Sequence, residues 1–171
     1  MIPLSHAQHR LWLIDQVEGP IATYNVPLVL RLRGDLDTAA LRTALHDVVG
    51  RHESLRTLFP TKDDVPHQRI VPADRVDIAL EVTDVAGRPY DEQLAAVDER
   101  ARTPFTLASE LPLRAHLFRG GPDDHTLLVL MHHIVSDGWS LAPLARDLAT
   151  AYTARTQHTQ PDWEPLPVQY A

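Results

Sequence analysis

The run Thr126–His132, TLLVLMH, is apolar at nearly every position. A strand with one face in water alternates apolar and polar residues, whereas an unbroken apolar strand is covered on both faces. The rest of the chain must therefore supply cover for two sides of a sheet centred on this strand. The partners are legible around it. Leu113–Phe118 is a second strand, joined to the first through the Gly120-Gly121-Pro122-Asp123 turn. Residues 26–33, VPLVLRLR, end in alternation through Leu28, Leu30 and Leu32, and Ile78–Val82 is a further strand. Leu55–Phe59, the polar turn Pro60–Pro66 and His67–Val71 read as a hairpin. Ser5 precedes a helix carrying Leu11, Trp12 and Ile14, which Gly19-Pro20 stops. Asp37 is a good N-cap for a helix with Leu41, Leu45, Val48 and Val49 on one face and Gly50 at its end. A third helix runs from Pro89 to about Arg102, and a fourth from Trp139 to Ala154 with Leu141, Leu144, Leu148 and Tyr152 on one face. Gln157–Pro167 is polar and Pro-rich, like a linker. Helices and strands interleave around a hairpin, so the class is α/β with a mixed sheet.

Length and composition narrow the functions. The 171 residues are room for one domain or one lobe of a larger one. Sixteen Lys and Arg against 23 Asp and Glu give a net charge of −7, which argues against a nucleic-acid partner. The apolar runs are of strand length, so no membrane span is expected. The N-terminus, MIPLSHAQHRLW, lacks a basic region followed by an apolar block, so no secretory signal is expected and the setting is read as cytoplasmic. Cysteine is absent, which excludes disulfides and thiol catalysis. Chemistry here falls to His, Ser, carboxylates or the backbone.

The apolar strand ends in His132-His133, and Asp137-Gly138 follow just before a helix. A residue at the end of a buried strand is held rigidly, and a helix N-terminus nearby turns free N–H groups and a positive dipole end toward it. Histidine manages a proton near neutral pH. A base beside a positive helix end suits a reaction that develops an oxyanion. Asp137 stands where an N-cap would stand. Adjacent strand residues face opposite ways, so His132 and His133 cannot readily share a metal, and the other histidines form no dense ligand set; no metal site is expected.

HHIVSDG at 132–138 resembles the signature of the condensation domains of nonribosomal peptide synthetases, in the chloramphenicol-acetyltransferase-like superfamily. LSHAQHRLW at 4–12 resembles the family's opening motif and RHESLRTLF at 51–59 its second. TPFTL at 103–107 with PLRAHL at 112–117 resembles the stretch before the His strand, and LPVQYA at 166–171 the start of a fourth motif. The resemblance covers the whole chain in order. It implies a mixed-sheet two-layer sandwich, the N-terminal lobe of a two-lobed domain whose members are well over twice this length, with the C-terminal lobe absent here.

The resemblance also implies a reaction. An upstream carrier protein presents an acyl or peptidyl thioester on a phosphopantetheine arm, and a downstream carrier presents an aminoacyl thioester whose amine attacks it. No cofactor is bound directly. By resemblance His133 is catalytic, either as general base or as a hydrogen-bond acceptor that positions the amine, and His132 is structural. Gly138 leaves room at the reacting carbonyl, with its N–H as an oxyanion contact. Ser136, Trp139, Arg51 and Tyr24 line the site. Asp137 matches a structural aspartate held by an ion pair, with Arg56 as the expected partner; breaking such a buried pair would cost roughly 3–5 kcal/mol. The face toward the missing lobe is expected to expose apolar residues. The segments around residues 5–27 and 137–148 are more similar to domains that take a donor ending in a D-residue. A reading from another class is a non-catalytic docking module that recruits a partner enzyme to a carrier protein; the intact His motif argues against it.

Overall fold

The computed structural model describes all 171 residues. Its main sheet contains four strands in the order β2 (Asn25–Arg33), β8 (Asp124–His132), β7 (Leu113–Gly121) and β6 (Leu80–Asp84). The first two junctions are antiparallel and β6 joins β7 in parallel, so the sheet is mixed as expected. β8 lies inside it and is covered on both faces. Leu127, Val129 and Met131 point into one core, while Leu128 and Leu130 point into the other.

The first core lies beneath two helices. α2 (Thr38–Arg51) supplies Leu41, Ala44, Leu45, Val48 and Val49, and α4 (Leu141–Thr156) supplies Leu144, Leu148 and Ala151. Asp37 caps α2 by accepting from the N–H groups of Ala39 and Ala40, both at 2.9 Å. The second core is closed by Val97 of α3 (Tyr90–Ala101), by Phe105 and Leu107 of the following segment, and by Phe59. Leu11 and Trp12 of α1 (His6–Glu18) pack at its edge. No helix is long and apolar enough to cross a membrane.

A second, smaller sheet forms from β1 (Ile2–Pro3), β3 (Thr57–Leu58), β4 (Thr61–Lys62) and β5 (Val65–Ile70), with β5 pairing to each of the others. It anchors α1. Ser5 and Gln8 form a capping box, and the buried Gln8 side chain donates to Gln68 Oε1, whose own amide donates to the Pro3 carbonyl.

Several elements differ from the sequence reading: β4 and the start of β5 lie within the expected Pro60–Pro66 turn, and β7 and β8 run on to Gly121 and Asp124. The hairpin's first strand is only Thr57–Leu58, because Glu53–Arg56 winds as a 3₁₀ turn closed by Thr57 Oγ1 donating to the Glu53 carbonyl at 2.7 Å. β6 starts two residues later, at Leu80, where its parallel register with Ala115–Arg119 begins. α4 begins at Leu141, since residues 138–140 form a separate turn. Residues 157–167 carry no regular helix or strand, and they do not run free: the Arg51 guanidinium lies 4.9 Å over the Trp163 ring and donates to the Glu164 carbonyl at 2.8 Å.

Candidate active site

The C-terminal end of β8 is clamped from both sides. The His132 N–H donates to the Pro112 carbonyl at 3.1 Å, and the His133 N–H donates to the Tyr24 carbonyl at 2.8 Å, one bond beyond the end of the β2–β8 ladder. The chain then turns through Ile134 and Val135. Ile134 plugs the second core, and Ser136 Oγ donates back to the His132 carbonyl at 3.2 Å. A strand end and a buried apolar plug thus fix the loop that carries the two histidines.

The two rings part company. His132 is buried near Phe105 and Tyr24, and its Nδ1 accepts the Ile134 N–H at 3.1 Å. Burial, and then the neighbouring His133, hold its pKa down to about 4, so it is neutral at physiological pH. His133 is exposed. Its Nδ1 lies 2.5 Å from the Ser136 carbonyl oxygen. A carbonyl can only accept, so Nδ1 carries the proton and the neutral ring's lone pair is on Nε2. A backbone carbonyl thereby sets the tautomer and orientation of an accessible base.

Asp137 does not pair with Arg56. Its Oδ1 accepts from the Ser140 N–H at 2.9 Å and from Ser140 Oγ at 2.6 Å, and its own N–H donates to that hydroxyl. These bonds, the side-chain one foremost, hold its pKa below the usual carboxylate value. Arg56 instead donates to the Val71 carbonyl at 2.7 Å and lies 3.4 Å from Glu53. The expected ion pair is replaced by a local turn ahead of α4, in which the Asp137 carboxylate accepts from Ser140 three residues on. Asp137→Ala is expected to lower stability by about 1 kcal/mol, the usual net worth of a hydrogen bond. Urea unfolding measures it, and a loss of several kcal/mol would restore a buried ion pair.

An open cleft of about 540 Å³ contains His133, Ile134, Val135, Ser136, Asp137 and Ser140 on one wall and Tyr24 beside them. Gln8, Arg10, Leu11 and Ile14 of α1 form the facing wall, and Tyr170 closes one end, its hydroxyl 3.0 Å from Ser5 Oγ. A second cleft of about 410 Å³ lies across the same loop, sharing Val135, Ser136, Asp137 and Ser140 with the first. Trp139 lines it and is 90% exposed. The loop is thus a partition with a pocket on each side.

The sequence-derived site residues fall into two groups. His133, Ser136, Asp137, Trp139 and Tyr24 come together at the clefts, with His132 buried behind them. Gly138 is exposed in the turn and lines neither cleft; a Cβ built there meets nothing within 4 Å, so the protein itself leaves the space open. Arg51 and Arg56 lie away from both clefts, and Arg51 pairs with Asp147 at 2.9 Å. Sequence reasoning missed Gln8, Arg10 and Tyr170, which reach the cleft only through the docking of α1 and the C-terminal segment.

The mixed sheet, with an accessible His just past the end of β8, has the fold of a lobe of the chloramphenicol-acetyltransferase-like condensation domains. The condensation-domain pattern matches residues 1–171, and the chain belongs to that family. It is 52% identical over 170 residues to the dimodular nonribosomal peptide synthase of Bacillus subtilis, covering 99% of this chain and 7% of that protein. The X-domain from teicoplanin biosynthesis superposes with a TM-score of 0.86 at 37% identity, covering 98% of this chain and 36% of the other. The first condensation domain of the CDA synthetase superposes with a TM-score of 0.84 at 28% identity, covering 95% and 42%. The chain thus spans well under half the length of these solved structures.

Proposed function

We propose that this chain is the His-bearing lobe of a domain that forms amide bonds between two carrier-bound substrates in nonribosomal peptide synthesis. The observation that carries the reading is the His133 ring: accessible in a cleft, with Nδ1–H committed to the Ser136 carbonyl and Nε2 free. The upstream substrate is an acyl or peptidyl thioester and the downstream one an aminoacyl thioester, each on a phosphopantetheine arm of a carrier protein. The downstream nitrogen attacks the upstream carbonyl carbon. The C–N bond forms, the C–S bond breaks, and the sulfur leaves as the upstream thiol. The attacking nitrogen gives up a proton, which Nε2 of His133 accepts or orients and the departing sulfur finally takes. The product is a chain longer by one residue on the downstream arm, in the cytoplasm.

The clefts on the two sides of the His loop suit two arms meeting at one partition. Trp139, with Leu13 and Val17 of α1, at 50% and 77% exposure, leaves apolar surface around them. We assign that surface to a second lobe, which completes the walls and holds both arms in register. The 171-residue chain alone, given both loaded carriers, is therefore expected to yield no amide, whereas a domain of the length of its solved relatives carrying this sequence yields it. Mass spectrometry of the downstream arm reads both. Efficient turnover by the short chain would refute the two-lobe site, and no product from the long one would refute the reaction.

A docking role is the second reading, favoured by the likeness to an X-domain solved in complex with OxyB, at 36% identity and a TM-score of 0.87. The free Nε2 of His133 favours catalysis. Recruitment of a partner enzyme without amide formation would favour docking.

A further inference from the structure

Helices α2 and α4 are tied at two places. Arg155 donates through Nε and Nη2 to both oxygens of Asp47, at 2.7 and 2.6 Å. Asp147 Oδ2 accepts from Arg51 Nε at 2.9 Å and from His52 Nε2 at 2.7 Å. Residue 47 thus faces 155 and residue 51 faces 147, as antiparallel helices require. The side chains are mostly buried, 15–24% exposed, so solvent and salt screen these pairs less than surface ones. Arg51 has other work, on Trp163 and the Glu164 carbonyl. The bond to Asp147 is the His52 ring's one hydrogen bond, and His52 lines the second cleft.

That cleft has two walls. His52, Ser54 and Leu55, at the end of α2 and in the 3₁₀ turn, form one. Ser136, Asp137, Trp139, Ser140, Pro143 and Leu144, from the His loop and the start of α4, form the other. Asp147 stands one helical turn beyond Leu144 and grips the first wall through His52. The first cleft, which holds His133, contains none of His52, Ser54, Leu55, Pro143 or Leu144. The bond between His52 and Asp147, beside the one from Arg51, therefore ties the second cleft's walls together at residues the first cleft does not contain.

We infer that His52 and Asp147 are positioning residues that fix the width of the second cleft for one of the two tethered substrates. The inference rests on the amide-forming reading above. The test uses a domain of the length of the solved relatives carrying this sequence, with each loaded carrier varied in turn. His52→Ala keeps the bond between Arg51 and Asp147, so the fold is retained. It is expected to raise KM about tenfold for one carrier-borne substrate, the scale of a lost charge-assisted hydrogen bond. The other KM, and kcat, stay within about twofold. His52→Gln, whose amide can donate to Asp147, restores the first KM. His52→Phe, which fills the same space without a donor, reproduces the one-sided effect if His52→Ala expresses poorly. Equal changes in both KM values, no change in either, a loss confined to kcat, or failure of the glutamine to rescue would each overturn the inference. His133→Ala in parallel separates the two levels. A fully active His133→Ala sinks the amide-forming reading itself; with that variant inactive, the His52 result judges the inference alone.

Discussion

Replacing His133 with alanine is expected to slow amide formation about a hundredfold to ten-thousandfold, the range typical of a lost acid–base group. The ring is exposed and its one hydrogen bond is to the Ser136 carbonyl within the same loop, so stability should change by no more than about 1 kcal/mol. The loss is thus chemical, and intact melting behaviour beside a collapsed rate is its signature. The measurement is single-turnover transfer in a domain of the length of the solved relatives, with both carriers loaded and a poorly nucleophilic acceptor, so that the chemical step limits the rate. A variant that kept the parental rate would remove His133 from the reaction.

Acid should destabilise the fold well before the carboxylates titrate. His132 has an ordinary pKa near 6.5 when unfolded and about 4 when folded, with burial the larger cause and His133 the second. Between those values the unfolded chain binds a proton that the folded chain refuses. Stability therefore falls as pH drops from 6.5 toward 4, by roughly 3 kcal/mol over the window. Above pH 6.5 both states are neutral and the contribution is complete. Burial also lowers His116, which bends the curve the same way. Urea unfolding of the 171-residue chain across this range should show the slope, and His132→Gln should remove most of the His132 share. An unchanged slope in that variant would mean that His132 takes up its proton in the folded state as readily as in solution.

The site's centre was legible because two strong local signals coincide there. Saturation of 126–132 with apolar residues located the central strand, and the histidines at its end followed from alternation. The partner of Asp137 is not Arg56, 81 residues back, because the Ser140 hydroxyl lies three residues ahead. The local reading of Asp137 as a cap came nearer, since its carboxylate accepts from Ser140 in the turn before α4. The ends of β6 were blurred for another reason. Ile78 is buried and strand-like in sequence, yet it precedes the parallel register, and register is set by β7 rather than by the segment itself. Asp147 looked like any polar residue on an amphipathic helix. Only the antiparallel docking of α4 on α2 brings Arg51 and His52 to it.

The two ties between these helices have opposite polarity. At one the acid belongs to α2 and the base to α4, at Asp47 and Arg155; at the other the acid is Asp147 of α4 and the base is on α2. Sliding one helix along the other, or reversing it, would set like charges together, so the pattern admits one alignment. This makes the pair a unit of inheritance. When segments are exchanged between related synthetases, a junction anywhere between residues 52 and 141 takes α2 from one parent and α4 from the other. Such a hybrid keeps its alignment only if both parents share the same arrangement of acids and bases at 47, 51, 147 and 155. Those four positions are a compatibility code to read before the cut is chosen.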